Sequence, residues 1–207
     1  PVTMPVVAPA DSLPGKARIE VGLNASLAKP MPGVRRYFEE YPFICLEQKL
    51  SKAIGLRDVA LWKTLSTQLP LYLDNDGLAM YFPARAGEDA RGSDVLTSYL
   101  LAASQEVGYE IPEESLNRMQ TALAGFVEGR IKREFWSPAK DLDARKLAAI
   151  EALSRRGKAQ AKMLDSLRIN PNAWPTHAVI DWLGILHRLP EIPDKQKKVE
   201  EANQVLR

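Results

Sequence analysis

The stretch Tyr41-Pro-Phe-Ile-Cys45-Leu-Glu-Gln48 decides how the rest of the chain is interpreted. Pro42 biases Tyr41 away from helical backbone, so the chain is expected to be extended as it approaches the cysteine. After Cys45, apolar residues recur every four positions, at Leu46, Leu50 and Ile54. This pattern predicts a helix that begins at Cys45 and carries Gln48 near the end of its first turn.

Cys45 and Gln48 are therefore candidates for a covalent bond between their side chains. Residues three apart lie on one face of a helix, so the thiol sulfur can reach the side-chain amide carbon. A helix N-terminus favours thiolate over thiol, which makes such a cysteine more nucleophilic. Attack with loss of ammonia would form an internal thioester. The spacing alone leaves a second interpretation open, in which Cys45 is an inert, buried structural cysteine.

The whole string Tyr-Pro-x-x-Cys-Leu-Glu-Gln resembles the thioester motif of the alpha-2-macroglobulin and complement family. The usual form is Tyr-Pro-Tyr-Gly-Cys-(Gly or Leu)-Glu-Gln, and the leucine version resembles the bacterial members. Residues 41–42 and 45–48 match this form. Phe43 replaces a tyrosine, and Ile44 replaces the glycine before the cysteine. A β-branched residue cannot adopt every conformation open to glycine, so Ile44 favours a relative whose thioester is lost.

Two further stretches are similar to the same family, and the resemblance covers roughly residues 17–207. Asp76-Gly77-Leu78 with Tyr81-Phe82 resembles an Asp-Gly-Gly-Phe-like segment of the thioester domain. The stretch from Gly92 to Ala103 is the second specific match. These resemblances imply an α/α toroid of helical hairpins that a β-sandwich domain precedes.

The family resemblance also implies a function. A bacterial alpha-2-macroglobulin-like protein is a protease inhibitor: cleavage of a bait region exposes the thioester, and a lysine amine of the protease attacks the Gln48 carbonyl. This is a single covalent event without turnover, so the chain is expected not to be an enzyme and to need no cofactor. Its expected partners are target proteases and other domains of the parent protein, and its expected location is the periplasm.

Composition restricts the class of protein. The chain has 207 residues, of which 45% are hydrophobic and 26% charged, with a formal net charge of +2. This balance is typical of a globular domain and gives no reason to expect binding to nucleic acid. No apolar run is long enough to span a bilayer, so no membrane insertion is expected. One cysteine allows no internal disulfide.

The order of patterns predicts two parts. Residues 1–30 are expected to be an extended linker followed by a strand, since residues 16–27 alternate apolar and polar side chains. That strand would pair with a neighbouring β-domain. The chain begins with proline and is expected to be a piece of a longer protein. Residues 31–207 are expected to form the helical thioester-type domain, and this part is short for a complete toroid.

Helical periodicity and turn residues predict the elements of the second part. The predicted helices cover residues 34–41, 46 onward, 58–69, 94–107, the stretch after Pro112, 142–156, 159–167, the stretch after Pro175, and a final charged helix to residue 207. Self-similar segments suggest stacked helical hairpins in an open solenoid or a closed toroid. The predicted fold class is all-α.

Other candidate sites are weaker. Asp74, Asn75 and Asp76 lack the glycine and distal glutamate of a calcium loop, so no metal site is predicted. His177 lies where some complement members carry a histidine that attacks the thioester, but it also fits a plain helix start. A Cys45/His177 hydrolase dyad lacks an orienting third group.

Three functions therefore remain open: a covalent thioester inhibitor, a non-covalent helical scaffold of the same family, and an α/α-toroid enzyme. The enzyme would need a cluster of carboxylates or of metal-ligating side chains, and no such cluster can be assembled from the sequence.

Overall fold

The structure, a computed structural model, describes residues 32–134 and 141–207 together with single positions between 5 and 15. Eight α-helices follow one another in these ranges: Pro32–Glu40 (α1), Leu46–Leu56 (α2), Val59–Gln68 (α3), Asp94–Glu106 (α4), Glu113–Val127 (α5), Leu142–Ser154 (α6), Thr176–Arg188 (α7) and Lys195–Val205 (α8). The predicted all-α class is confirmed. The strand expected within residues 16–27 lies outside the described residues, as does Trp136.

Local capping explains why the helices begin and end where they do. The Ser93 hydroxyl accepts the Leu96 N–H at 3.2 Å, which caps α4. The Asp141 carboxylate accepts the Asp143 N–H at 3.0 Å at the start of α6. Pro112 and Pro175 stand directly before α5 and α7. These sequence signals place the helix starts within one or two residues of their predicted positions.

Two predicted helices take a different form. The stretch predicted as a helix from 159 to 167 contains a 3-10 helix at Ala161–Ser166. The Ser166 carbonyl at its end accepts the Lys146 ammonium at 3.3 Å, so a side chain satisfies this backbone group without further helix. Pro70 does not end the helical conformation after α3, because a 3-10 helix at Leu69–Tyr72 carries the proline in its first turn.

Two helices organise the packing. Helix α2 packs against α1, α3 and α4, whereas α6 packs against α4, α5 and α7. Helix α4 therefore connects the Cys45 helix to the second half of the domain. Most of α6 is buried, including its polar residues Arg145 and Glu151, each of which has an ionic partner. The arrangement is an array of packed helical hairpins, and the closed toroid stays a prediction.

No helix within the described ranges combines the length and the apolar character that crossing a bilayer requires.

A charged network joins α6 to α7. The buried Glu151 carboxylate accepts the guanidinium groups of Arg155 at 2.7 Å and Arg188 at 2.9 Å. Asp181 lies near this network. Burial, and secondarily the Glu151 charge, raises the pKa of Asp181 from 3.8 to about 7. The folded protein therefore keeps a proton on this carboxyl at pH values where the unfolded chain has lost it.

This difference predicts how Asp181 changes stability with pH. Between about pH 4 and 7 the folded state binds more protons, so ionisation of Asp181 lowers stability as the pH rises through this window. Asp181→Asn should leave stability unchanged near pH 4. Above pH 7 it should raise the free energy of unfolding by about 2 kcal/mol, less than the full pKa difference implies, because Asp181 is only half-buried and solvent screens its charge.

The measurement is the urea-unfolding free energy of Asp181→Asn and of the unsubstituted chain from pH 4 to 9. Asp165→Asn, which replaces an exposed carboxyl in the same way, serves as the control. A constant offset between Asp181→Asn and the unsubstituted chain at every pH would contradict the prediction.

Candidate functional site

Cys45 lies at the N-terminus of α2, as predicted. Its backbone is extended, with φ −65° and ψ 163°, and α2 begins at the next residue. Residues 41–44 before it are not helical, in agreement with the effect expected of Pro42. Cys45 is only 7% exposed, and its thiol is not in a disulfide. The site is therefore a buried free thiol at a helix start.

The side chains of Cys45 and Gln48 lie against the same helical turn. The Cys45 backbone N–H donates to Gln48 Oε1 at 3.2 Å. In return, the Cys45 side chain faces the Gln48 backbone N–H, which completes a reciprocal capping box. This arrangement holds the Gln48 amide beside the first turn and directs its carbonyl oxygen to a hydrogen-bond donor. The structure thus brings the two predicted residues together.

A second segment holds this turn from outside the helix. The Leu46 N–H donates to the Tyr81 carbonyl at 2.8 Å, and Met80 N–H donates to the Tyr72 carbonyl at 2.7 Å. A single antiparallel bridge, Leu73 to Ala79, closes the short turn that precedes Tyr81. The stretch around Tyr81 was linked to the cysteine motif only by family resemblance, and the structure places it in direct contact with α2.

A third segment, the start of α4, packs against the second segment, around Tyr81. The Ser93 N–H donates to the Ala79 carbonyl at 2.8 Å. Gly92 approaches the Leu78 backbone so closely that a Cβ on Gly92 would lie 2.2 Å from the Leu78 carbonyl oxygen. Only glycine fits this approach. Gly92 therefore marks a close backbone contact near the candidate site.

The Thr97 hydroxyl makes hydrogen bonds to both segments, at Ala79 and at Ser93. Thr97 Oγ1 accepts the Ala79 N–H at 2.8 Å and donates to the Ser93 carbonyl at 2.6 Å, and Thr97 is fully buried. Thr97→Val should lower the free energy of unfolding by about 1–3 kcal/mol, because the Ala79 N–H would be buried without a partner. Thermal unfolding measures this loss.

Thr97→Ser is the matched control, since it keeps the hydroxyl and removes only the methyl group. It should recover the larger part of the loss. Equal destabilisation by valine and serine would assign the effect to packing instead of to the hydrogen bonds.

Asp74 anchors the same region through its carboxylate. Oδ1 accepts the N–H groups of Gly77 and Leu78, both at 2.8 Å, and Oδ2 accepts the Gly92 N–H at 2.7 Å. Arg133 donates to Oδ2 at 2.7 Å. The carboxylate of Asp74 is thus fully engaged in a structural role. Among the described residues, no group of three or more His, Cys, Asp or Glu side chains could hold a metal ion.

A cleft of about 780 Å³ opens beside Tyr81, and its lining includes Ser93, Asp94 and Arg133. Burial raises the pKa of the Tyr81 phenol, a hydrogen bond with Ser93 offsets part of this rise, and the negative charge of Glu47 adds a smaller increase. The phenol of Tyr81 therefore stays neutral and lies within electrostatic reach of the Cys45 thiol. This cleft reaches the edge of the candidate site.

Aromatic rings form a row on the approach to Cys45. The ring centroids of Tyr37 and Tyr41 lie 5.1 Å apart, and those of Tyr41 and Phe43 lie 5.2 Å apart. A hydrogen bond with Tyr37 raises the pKa of Tyr41. Phe43 and Ile44 are 61% and 66% exposed. These two side chains present apolar surface to solvent directly before the buried cysteine.

The backbone at Ile44 is compatible with a β-branched residue. Among the described residues, the non-glycine residues with positive φ are Arg57 and Asp194. Ile44 is not one of them, so the position before Cys45 does not require glycine in this chain.

His177 lies on a different helix from this site. It is exposed at the second position of α7, and α7 packs against α6 and α8. The helices that pack against α2 are α1, α3 and α4. The structure thus places His177 on an element that is not a packing neighbour of the Cys45 helix.

Sequence reasoning missed the buried ion pairs around the site. Arg145 donates to both carboxylate oxygens of Asp94, at 2.9 and 2.6 Å, and to the Arg133 carbonyl at 2.9 Å. Asp94 follows a capping serine, where an acidic residue is ordinarily read as a solvated helix-start residue. Nothing in the local pattern identifies its partner, which lies on another helix.

Comparison with known proteins supports the resemblance at the level of fold. The crystal structure of native alpha-2-macroglobulin from Escherichia coli, from domain MG7 to the C-terminus, matches 83% of this chain with a TM-score of 0.62 and 15% identity. The cryo-EM reconstruction of the native conformation of the same protein matches 84%, with a TM-score of 0.62 and 16% identity. The chain covers 30% and 12% of those chains.

No protein-family model and no curated protein sequence matches the chain. At the identity of the two structural matches, the likeness shows a shared fold alone. It confirms, for the fold, the resemblance predicted from the motif around Cys45.

Proposed function

We propose that this chain is the thioester domain of a bacterial alpha-2-macroglobulin-like protease inhibitor. The observation that carries the proposal is the contact between Cys45 and Gln48, whose side chains share the first turn of α2 in a reciprocal capping box. The fold likeness to Escherichia coli alpha-2-macroglobulin supports the same family.

The bond would form within the first turn of α2. The Cys45 sulfur attacks the Gln48 side-chain amide carbon, a C–S bond forms, and the C–N bond breaks. The thiol proton leaves with the amide nitrogen as ammonia. The Cys45 N–H already contacts Gln48 Oε1, the oxygen that carries negative charge in the tetrahedral intermediate. A donor at that position lowers the barrier to attack.

Capture of a protease would transfer the Gln48 acyl group from the Cys45 sulfur to the protease. An amine of a target lysine attacks the thioester carbonyl at Gln48, an amide bond forms, and Cys45 leaves as the thiolate. Helix N-termini stabilise thiolates, which favours this leaving group. The event occurs once per molecule, so the domain acts as an inhibitor and not as a turnover enzyme.

The remaining features of the proposal concern the parent protein. A bait region in another part of the molecule would be cleaved first, and other domains of the parent would cover the site until then. The exposed Phe43 and Ile44 beside the buried thiol offer apolar surface for such a covering domain. The proposed location is the periplasm.

The test is the intact mass of the 207-residue chain before and after methylamine treatment. The proposal expects a mass lower than the sequence mass by one ammonia, followed by the gain of one methylamine. Cys45 should react with a thiol reagent only after this treatment. Cys45→Ser, the control, should keep the sequence mass throughout.

A second candidate is a helical scaffold of the same family without the thioester. The capping box favours it, because Cys45 and Gln48 satisfy each other's backbone N–H groups and so have a structural role without any covalent bond. A scaffold would show the full sequence mass and would give the same thiol response with and without methylamine. The mass experiment therefore separates the two candidates.

A further inference from the structure

Lys52 carries an amine on the same face of α2 as Gln48. It lies four residues after Gln48, and both residues belong to α2. Side chains four residues apart are stacked on one helix face, and each leans toward the helix N-terminus, so the stem of Lys52 leans toward Gln48. An acidic residue followed by a lysine at this spacing is the favoured order for contact. The Gln48 acyl group occupies the place of that acidic group.

A hydrogen bond to α1 holds the Lys52 ammonium in the structure. Lys52 Nζ donates to the Glu39 carbonyl near the end of α1 at 3.1 Å, and this contact is exposed to solvent. A solvent-exposed hydrogen bond to a neutral carbonyl exchanges readily for a hydrogen bond to water. The amine can therefore leave Glu39 and move along the face of α2.

Lys49, the other lysine of α2, has a different direction. Its Nζ donates to the Tyr72 hydroxyl at 3.3 Å and lies 5.9 Å from the centroid of the Tyr72 ring. Consecutive residues of a helix do not face each other, so Lys49 cannot approach the Gln48 side chain while α2 is intact. Of the two lysines in α2, Lys52 is therefore the one placed to reach Gln48.

We propose that Lys52 is an internal acceptor for the Gln48 acyl group. An exposed thioester that meets no target amine would then close an isopeptide bond between Gln48 and Lys52, a step that rests on the proposed thioester. The neutral Lys52 amine attacks the thioester carbonyl carbon at Gln48, a C–N bond forms and the C–S bond breaks. The electron pair stays on the Cys45 sulfur, and the proton lost from nitrogen passes to solvent.

The product is a domain that can no longer label another protein. The isopeptide bond joins two positions about one helical turn apart, so it fits within an intact α2. Cys45 regains its thiolate at the helix N-terminus, where the charge is favourable. The Gln48 carbonyl becomes a secondary amide, which is a far poorer acyl donor than a thioester. Self-acylation would therefore limit the time for which an exposed thioester can react with other proteins.

The test follows the intact mass and the thiol content of the 207-residue chain in a mildly alkaline buffer without added amine. The three fates of the thioester differ in mass, because hydrolysis adds one water, methylamine adds one methylamine, and Lys52 adds nothing. The proposal expects a thiol that appears with time while the mass stays one ammonia below the sequence mass. Methylamine should then cause no further change, and fragmentation should locate a cross-link between residues 48 and 52.

Two lysine variants assign the acceptor. Lys52→Arg keeps the positive charge, and its guanidinium stays protonated and is not a nucleophile in this buffer. It should still form the thioester but should release the thiol without a change of mass at a rate lower by about tenfold or more, because the neighbouring amine is removed. Lys49→Arg, on the same helix, is the matched control and should leave this rate unchanged.

A second measurement tests the reach of Lys52 without the thioester. In the Gln48→Glu variant, a water-soluble carbodiimide activates the carboxylate at position 48, and an amine within reach then forms an amide with loss of one water. The proposal expects a cross-link between positions 48 and 52 and none between positions 48 and 49.

The outcomes separate failure of this proposal from failure of the thioester. A gain of one water as the thiol appears would show hydrolysis and would overturn self-acylation. A cross-link at Lys49, or equal rates for Lys52→Arg and the unsubstituted chain, would overturn the assignment to Lys52. The full sequence mass with a free thiol from the start would refute the thioester and self-acylation together. The carbodiimide reaction would then still show whether Lys52 reaches position 48.

Discussion

Replacement of Asp74 by asparagine is expected to lower the free energy of unfolding by about 3–5 kcal/mol, the range for breaking a buried ion pair. The two carboxylate oxygens accept three backbone N–H groups and the guanidinium of Arg133. An asparagine keeps one oxygen only. Its NH₂ group would face either the N–H groups of Gly77 and Leu78 or those of Gly92 and Arg133, so donors would oppose donors on one side.

The loss is large because the Asp74 carboxylate is shielded from water. The side chain of Asp74 is 3% exposed and that of Arg133 is 10% exposed, so water cannot replace the missing acceptor. Asp76, which also accepts Arg133 at 2.6 Å, is half-exposed and can compensate only part of the charge.

Thermal unfolding is the measurement. A loss of this size corresponds to a decrease in melting temperature of about 10 °C for a domain of this length. Asp89→Asn is the matched control, since the Asp89 side chain is 81% exposed and its ion pair with Arg91 is long, at 3.7 Å. Asp89→Asn should shift the melting temperature by less than about 2 °C. Equal melting temperatures for the two variants would show that the Asp74 network does not stabilise the fold.

The helical part of the fold could be predicted well because its signals are local. Ser93 caps α4 through its own hydroxyl, and Pro112 and Pro175 stand at helix starts, where the N–H that proline lacks would make no intrahelical bond. A capping residue acts within one turn, so it can be read from the chain without knowledge of the fold. The prediction of a helix over residues 159–167 was less accurate, because a long-range contact from Lys146 satisfies the Ser166 carbonyl.

The candidate site was predictable only in part, for the same physical reason. Cys45 and Gln48 are three residues apart, so helix geometry alone brings them together. The contact of Tyr81 with Leu46 and the pairing of Asp94 with Arg145 join residues from distant parts of the chain. No local rule relates such positions.

Replacement of Gln48 by glutamate is expected to remove the thioester completely while it leaves the fold intact. Glutamate has the same length, and its carboxylate can still accept the Cys45 N–H that Gln48 Oε1 accepts at 3.2 Å. A negative charge in the first turn of a helix is favourable by about 0.3–1 kcal/mol. The acyl donor is lost, however, because the leaving group from a carboxylate would be hydroxide or oxide in place of ammonia.

The Gln48→Glu variant should therefore melt at or slightly above the temperature of the unsubstituted chain. Its mass should equal its own sequence mass, with no response to methylamine, and Cys45 should react with a thiol reagent at once. Gln68→Glu, at an exposed position at the end of α3, should keep the thioester and is the matched control.

Melting temperature and thiol reactivity together separate the structural role of Gln48 from its chemical role. A thiol that stays blocked in Gln48→Glu until methylamine is added would mean that Gln48 is not the acyl donor. A thiol that is free in the unsubstituted chain and in Gln48→Glu alike, with both proteins equally stable, would assign Cys45 and Gln48 to helix capping alone. A free thiol only in the variant is the expected result, because glutamate preserves the cap at Cys45 but lacks the amide that the sulfur must attack.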